Sequence, residues 1–453
     1  MGSPVCTLGN LCDALLKYYN TSILDHPDMN SELKKACFEE AEKCANTNLA
    51  RKDRSLKRTV LSELIRSHEH SDINKPYADF IAGPKSLTLQ WSSYYKKLIY
   101  IFGENHFEEY YCPILETKIV TFAKDDCPTI EGKKTIAAED YIYALHQDGD
   151  MFSDVYVETG AFFKKEQEYT DDDDSRLSKL RNRFTRCLSK DANSHPDCRK
   201  GRVHYIDIRQ IEGMEYGNIT HYTTNYIVFC DEPDKEEYLN YLVDFFSEDK
   251  VLHLIEDVSN MDSPEEFITY LKKEFDENYL FEKELRESKL SEPNIKDKIS
   301  SFIDENIKKY GISFIQSIID GIKSLKEVLE IYKEDFGIMA EEVLKDPEHQ
   351  EYYKSFKNNL DEIFKKLITL ESLLVDGYLL ARVFKNFNID VEDETKRRST
   401  DEPYEPHNII IYAGDGHSNR YREFLKELGF ELIAITGEDW RDKDSTNPYK
   451  KLY

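Results

Sequence analysis

The stretch "NIIIYAGDGHSNRYREFLKELGFELIAIT", residues 408–436, decides how this chain is read. "NIIIYAG" is an apolar, β-branched run that ends at a glycine, the mark of a buried strand. "SNRYREFLKELG" (418–429) reads as a helix closed by a glycine cap, and "FELIAIT" (430–436) as a second strand. Strand, helix and strand make a βαβ unit, and such units imply a parallel sheet covered by helices. The fold class expected is therefore α/β, a mostly parallel sheet with flanking helices.

Working outward, the same punctuation occurs early in the chain. "LIYIFGENHFEEYY" (98–111) is an apolar run, a glycine, then Glu104 and His106. After Gly414 come Asp415 and His417. Three further segments supply strands. In "GPKSLTLQWSSYYKKLIYIFG" (83–103), Leu87, Leu89 and Trp91 alternate with polar residues, and a polar turn leads into the run at 98–102, which predicts a hairpin. "DVYVETG" (154–160) and "RVHYIDIR" (202–209) are short strands, and "NYIVFCD" (225–231) is another, followed by an amphipathic helix at 234–248.

The rest is helical. "KKTIAAEDYIYALHQDG" (133–149) predicts one helix, and the charged excursion after 170 a solvated loop and helix. From 255 to 395 long 3.6-residue periodicity predicts helices packed on one another. The organisation expected is a helical N-terminal region (1–82), a first part of the α/β core (83–254), a helical insertion (255–395), and a last βαβ unit completing the core (396–453).

Bulk composition narrows the function classes. The chain has 453 residues, with 61 Lys and Arg against 88 Asp and Glu, a formal charge of -27. Nucleic acid and anionic membrane surfaces call for a basic footprint, so neither is an expected partner. No uninterrupted apolar stretch has membrane-spanning length, and the first residues lack the basic start and apolar centre of a secretory signal. Gly2 is no myristoylation signal, because position 6 is Cys6. Nine cysteines, scattered without a zinc spacing, predict reduced thiols in a cytoplasmic compartment. With 30 tyrosines and 24 phenylalanines the core should be aromatic-rich.

In an open parallel sheet, ligands lie beyond the carboxyl ends of the strands. Four strands deliver polar groups there: Glu104 and His106, Glu158, Asp207 and Arg209, Asp415 and His417. Two imidazoles and two or three carboxylates suit general acid–base hydrolysis. They also suit a divalent metal such as zinc, manganese or iron, with His106, Glu158, His417 and Asp207 as ligands. Arg209 could anchor a substrate carboxylate or stabilise an oxyanion. Bland readings stand beside these. Glu158 could cap a helix, Asp207 and Arg209 could form a structural ion pair, Asp415 could be the turn-former of "GDG", and His204 a satisfied core histidine. With 18 glycines and 12 histidines, one Gly-x-x-His arises by chance about half the time; two, each directly after an apolar strand and each with an acid, are much rarer. Phosphate-loop, nucleophile-elbow and His-Glu-x-x-His motifs are absent from the sequence.

These residues resemble the TraB/Tiki superfamily, whose relatives include erythromycin esterases and haem-binding iron-regulated lipoproteins. "IFGENHFEEYY" resembles its first motif, through Gly103, Glu104 and His106. "VYVETG" resembles its glutamate strand, through Glu158, and "IIYAGDGHSNRY" its last motif, through Gly414 and His417. Erythromycin esterases carry one more residue before the histidine. "VDGYLLARVF" (375–384) and "HYIDIR" (204–209) are also similar to uncharacterised proteins of large DNA viruses. The resemblance implies an α/β core with both histidines on one pocket, a small-molecule or peptide substrate, and, if viral, the host cytoplasm. Known members divide among ester hydrolysis, metal-dependent peptide cleavage and haem binding, and a fold cannot choose among them. The leading expectation is a hydrolase of an ester or amide bond, using His106, Glu104, Glu158, His417 and Arg209. The alternatives are a metal- or haem-binding protein and a scaffold that binds a protein partner through its helical insertion.

Overall fold

The computed structural model describes residues 80–104, 110–111, 118–119, 135–148, 152–160, 176–188, 198–209, 249–290, 292, 294–331, 347–387 and 402–437. In chain order β1 is Phe80–Ala82, β2 Ser86–Ser92, β3 Lys97–Glu104, β4 Tyr110–Tyr111, β5 Lys118–Ile119 and β6 Thr135–Ala137. Helix α1 (Ala138–Asp148), β7 (Ser153–Gly160), α2 (Arg176–Leu188) and β8 (Gly201–Asp207) follow. Next come helices α3 (Asp249–Ser259), α4 (Pro264–Glu277), α5 (Ile295–Ile331) and α6 (Pro347–Val383). Strand β9 (Asn408–Gly414), helix α7 (Asp415–Glu427) and β10 (Glu431–Gly437) close the chain. Two compact units result: Met1–Ile206 with Lys385–Tyr453, and Asp207–Phe384.

The first unit is built on a six-stranded mixed sheet in the order β10-β2-β3-β9-β7-β8. Strands β2 and β3 form the hairpin that the alternation of Leu87, Leu89 and Trp91 predicts, with Leu87 opposite Phe102 and Trp91 opposite Leu98. Strand β9 lies parallel between β3 and β7, in register from Leu98 and Asn408 to Glu104 and Gly414. The architecture is α/β, a largely parallel sheet flanked by helices.

Both faces of the sheet are covered. Leu87, Trp91, Leu98, Tyr100, Phe102, Val155, Val157, Ile410 and Tyr412 join Ala138, Ile142 and Leu145 of α1 and Leu180 and Phe184 of α2 in one core cluster. On the opposite face Ile99, Ile101, Ile409 and Ile411 are buried, and α7 packs on β3 and β9. Burial on two sides is why these strands read as unbroken apolar runs. It also buries the polar alternates of β2, Ser86, Thr88 and Gln90.

The closing βαβ unit departs from its simplest reading. Strand β10 does not pair with β9; it pairs antiparallel with β2 at the far edge, so α7 carries the chain past β3 and β2. Local sequence sets the direction of two strands, whereas their neighbours are chosen by long-range pairing. The helix expected over 133–149 begins only at Ala138, after a three-residue strand, because β-branched Thr135 and Ile136 pair with β1 before Glu139 and Asp140 open the helix. Reduced thiols were expected throughout, yet Cys187 and Cys198 are bonded, with Cα atoms 5.3 Å apart. The end of α2 and the approach to β8 deliver both cysteines to the same core cluster.

The N-terminal helical region lies outside the described residues, apart from Phe80–Ala82, which form a strand. The strand expected at 225–231 and the helix at 234–248 also lie outside them. No described helix is long and apolar enough to cross a membrane.

The second unit, as described, is helical. Helix α4 starts at a reciprocal cap: Ser263 Oγ accepts the Glu266 N–H at 3.3 Å, and Glu266 Oε2 accepts the Asp262 N–H at 3.0 Å, with Pro264 at the first position. Helix α5 is broken at Gly311, whose φ of 76° only glycine adopts readily. Helices α5 and α6 pack along each other. Arg382 of α6 donates to Glu284 at 2.7 Å, pairing two buried or nearly buried charges.

Candidate functional site

The carboxyl ends of β3, β9 and β7 lie side by side, as the ligand edge of a parallel sheet should. Gly414 ends β9 and is at the same time the N-cap of α7, with no side chain to cap the helix. Glu158 of β7 fills that role from the neighbouring strand. Its Oε2 accepts the Gly414 N–H at 2.7 Å, while its Oε1 lies 3.2 Å from Nε2 of His417 in the first turn of α7. The positive end of the helix dipole favours a carboxylate there.

This contact fixes the imidazole. Nε2 faces a carboxylate and so carries a proton; in the neutral ring the lone pair is then on Nδ1. Arg420, one turn along the same helix, places Nη2 3.4 Å from Nδ1, a donor facing an acceptor. The His417 ring lies 6.2 Å from that of Tyr421, at 27° to it.

Helix α7 begins at Asp415, three residues earlier than the sequence reading placed it, so Asp415 is no turn-former. Its Oδ1 accepts from Ser86 Oγ at 2.5 Å and from Arg422 Nη1 at 3.4 Å, and its Oδ2 accepts from Asn419 at 3.1 Å. Gly103 is needed for this approach, and not for turning the chain: it sits in strand register opposite Ser86 and Ala413. A Cβ on Gly103 would fall 2.3 Å from Asp415 Oδ1 and 2.6 Å from Ser86 Oγ.

Glu104 does not belong to the same face. Phe102, Tyr412 and Val157 are register partners and share a face. Strand alternation then puts Glu104 on the side of Phe102 and Glu158 on the other. The hydrogen bonds agree: Glu104 accepts from the Tyr412 hydroxyl, on the side of α1 and α2. Glu104 and Glu158 therefore lie on opposite faces of the sheet; the expectation that both orient His106 lies outside the described residues. His106 lies outside the described residues.

Asp207 and Arg209 form the ion pair of the bland reading. Arg209 Nε donates to Asp207 Oδ1 at 2.9 Å and Nη2 to Oδ2 at 3.1 Å. Both fall in the second compact unit. Among the described residues no three His, Cys, Asp or Glu side chains could hold an ion together. Glu158 is committed to Gly414 and His417. His106, the remaining ligand of the set expected for zinc, manganese or iron, lies outside the described residues.

Sequence reasoning missed Tyr412, Arg420 and Arg422. The signal for Arg422 was present, since it stands seven residues after Asp415, two turns along one helical face. It also missed a second polar cluster in the first unit. Arg202 Nε donates to Asp154 Oδ1 at 2.6 Å and Nη2 to Oδ2 at 3.0 Å, and His204 Nε2 lies 2.9 Å from Oδ1. The His204 ring stacks between Tyr156 and Phe387, so it is the satisfied core histidine of the bland reading. Burial alone pushes the Asp154 carboxyl up, but the Arg202 charge with the His204 and Arg202 hydrogen bonds holds it well below the usual carboxylate range.

No protein-family model, curated protein or solved structure matches this chain.

Proposed function

We propose that the chain is a hydrolase of an ester or amide bond in a small molecule or peptide, with His417 as general base and Glu158 as the group that orients it. The observation that carries this is the Glu158–His417 pair at the start of α7, on the ligand edge of the sheet. A neutral imidazole whose Nε2–H is held by a carboxylate presents a basic Nδ1, the arrangement that takes a proton from water or an alcohol. Arg420 supplies a cation beside the base, since its guanidinium faces Nδ1. An oxyanion forming where water attacks would meet that charge. The resemblance to the TraB/Tiki superfamily supports the same reading and adds His106 as the second imidazole.

A scaffold reading competes, and one observation favours it. His417 is 7% exposed and Glu158 5%, so the pair also works as an internal cap of α7. Turnover separates the two. A panel of activated esters and chromogenic amides, assayed between pH 5 and 9, should show hydrolysis that His417→Ala and Glu158→Gln remove while circular dichroism stays native. No turnover by the wild-type protein, or turnover indifferent to both substitutions, overturns the hydrolase.

A further inference from the structure

The strongest unexplained feature of the first unit is a fully buried arginine in a helix that carries the candidate base. Arg422 has 0% exposure. Burying a guanidinium is costly unless its donors are met, and here four acceptors from three elements meet them. Nε donates to Thr88 Oγ1 of β2 at 3.1 Å, Nη2 to the Ile101 carbonyl of β3 at 3.2 Å, Nη1 to Asn419 Oδ1 at 2.7 Å, and Nη1 also to Asp415 Oδ1 at 3.4 Å. Asp415 is in turn held by Ser86 of β2, with Lys85 Nζ 3.9 Å from Oδ2.

We infer that Arg422 is a positioning residue: with Asp415, Ser86 and the space left by Gly103 it latches the first two turns of α7 onto β2 and β3, and so sets the approach of His417 to Glu158. The logic is geometric. A helix resting on a sheet by apolar contacts alone can slide or roll by fractions of an ångström. The Asp415–Arg422 latch spans eight residues and pins both ends of that segment to strands. His417 lies inside the span, and its partner Glu158 sits on a different strand, β7, which the latch does not touch. The 3.2 Å between His417 Nε2 and Glu158 Oε1 therefore depends on where the latch holds α7 as well as on the Glu158–Gly414 bond. Lysine cannot replace Arg422, because one ammonium cannot address a β2 hydroxyl, a β3 carbonyl and two helix side chains from one plane.

This inference rests on the proposed hydrolase only for its kinetic arm, so it is tested first without activity. Nitrogen-15 spectra of the His417 ring should show Nε2 protonated and Nδ1 bare in the wild-type chain, and Glu158→Gln identifies the signal. Arg422→Lys loosens the latch from the helix side and Gly103→Ala wedges it from the strand side. Both should shift His417 towards mixed tautomers. Phe184→Leu, a core change on the other face of the sheet, serves as control and should leave the ring as in wild type even where it lowers the melting temperature as much. If the hydrolase is active, both latch variants should lose kcat about 10²-fold with KM little changed. An unchanged His417 tautomer in Arg422→Lys and Gly103→Ala overturns the latch, as does an equal shift in Phe184→Leu. A shifted tautomer in a chain that hydrolyses nothing overturns the hydrolase and leaves the latch standing. Should Arg422→Lys fail to fold, Ser86→Ala, which removes the single 2.5 Å bond to Asp415, gives the same reading in milder form.

Discussion

Glu158 holds His417 and the helix that carries it with one carboxylate: Oε2 takes the N–H of Gly414 at 2.7 Å and Oε1 faces His417 Nε2 at 3.2 Å. The same group thus caps a helix and orients an imidazole, and the two roles can be separated by substitution. In Glu158→Gln the amide oxygen can still accept from Gly414, while the charge at the helix N-terminus is lost. In Glu158→Ala both go, and the Gly414 N–H is left buried without its acceptor. Urea unfolding should show Glu158→Gln losing about 0.5–1 kcal/mol from the helix-dipole interaction. Glu158→Ala should lose about 1–3 kcal/mol from the unmet donor. Equal losses would mean that Glu158 contributes to stability by charge alone.

His417→Ala addresses the chemistry. Removing a general base costs about 10²–10⁴ in rate, whereas a buried side chain of this size costs only about 1–3 kcal/mol of stability. The variant should therefore remain folded and lose kcat/KM by at least two orders of magnitude on whatever ester the wild type cleaves. A variant of unchanged rate would assign proton transfer to another group.

How much of this could be read from the residues depends on what each reading needed. The hairpin, the parallel βαβ direction and the placing of Glu158 and His417 at the ligand edge follow from local pattern: apolar runs, a period of two, and the rule for carboxyl ends. The edge position of β10 does not, because its own residues do not say which strand it pairs with until the whole sheet is assembled. Glu104 shows a subtler limit. Its strand end was legible, but its face is fixed by the register of three strands, which no single motif contains. The role of Gly103 was legible as a need for glycine, but the cause, the carboxylate of Asp415 packed over it, is 312 residues away in sequence. Asp154 and Arg202 were passed over because a buried ion pair inside two apolar strands leaves no periodic signature.

That ion pair predicts an acid response. The folded Asp154 carboxyl titrates below its ordinary value of 3.8, which is close to what it has in the unfolded chain. A group with a depressed folded value contributes stability that is complete above the unfolded value and is lost as pH falls from there through the folded one. Asp154→Asn should therefore be less stable than wild type near neutrality by about 3–5 kcal/mol, since it strands the buried Arg202. The difference should hold down to about pH 4 and narrow below it. Denaturant titrations of both proteins at a series of pH values check this. A gap that stays constant into the acid range would show that Asp154 gains nothing from its charge.

Helix packing in the second unit gives a last test, in which two effects of opposite sign compete. Gly377 lies inside α6, in its last two turns, where alanine would raise helix propensity by about 1 kcal/mol. Yet a Cβ there would stand 2.6 Å from Ile303 Cδ1 and 2.6 Å from Phe281 Cε2. Both neighbours are buried, at 5% and 3% exposure, so neither can simply swing into water. Overpacking of this kind costs about 1–3 kcal/mol and exceeds the propensity gain. Gly377→Ala should destabilise the chain in urea unfolding. Ile303→Val removes the Cδ1 methyl that the new Cβ meets. Alone it should cost about 0.5–1.5 kcal/mol, but combined with Gly377→Ala it should cost less than the sum of the two, because each change fills or vacates the same space. Strict additivity of the pair would place the strain of Gly377→Ala on Phe281 alone.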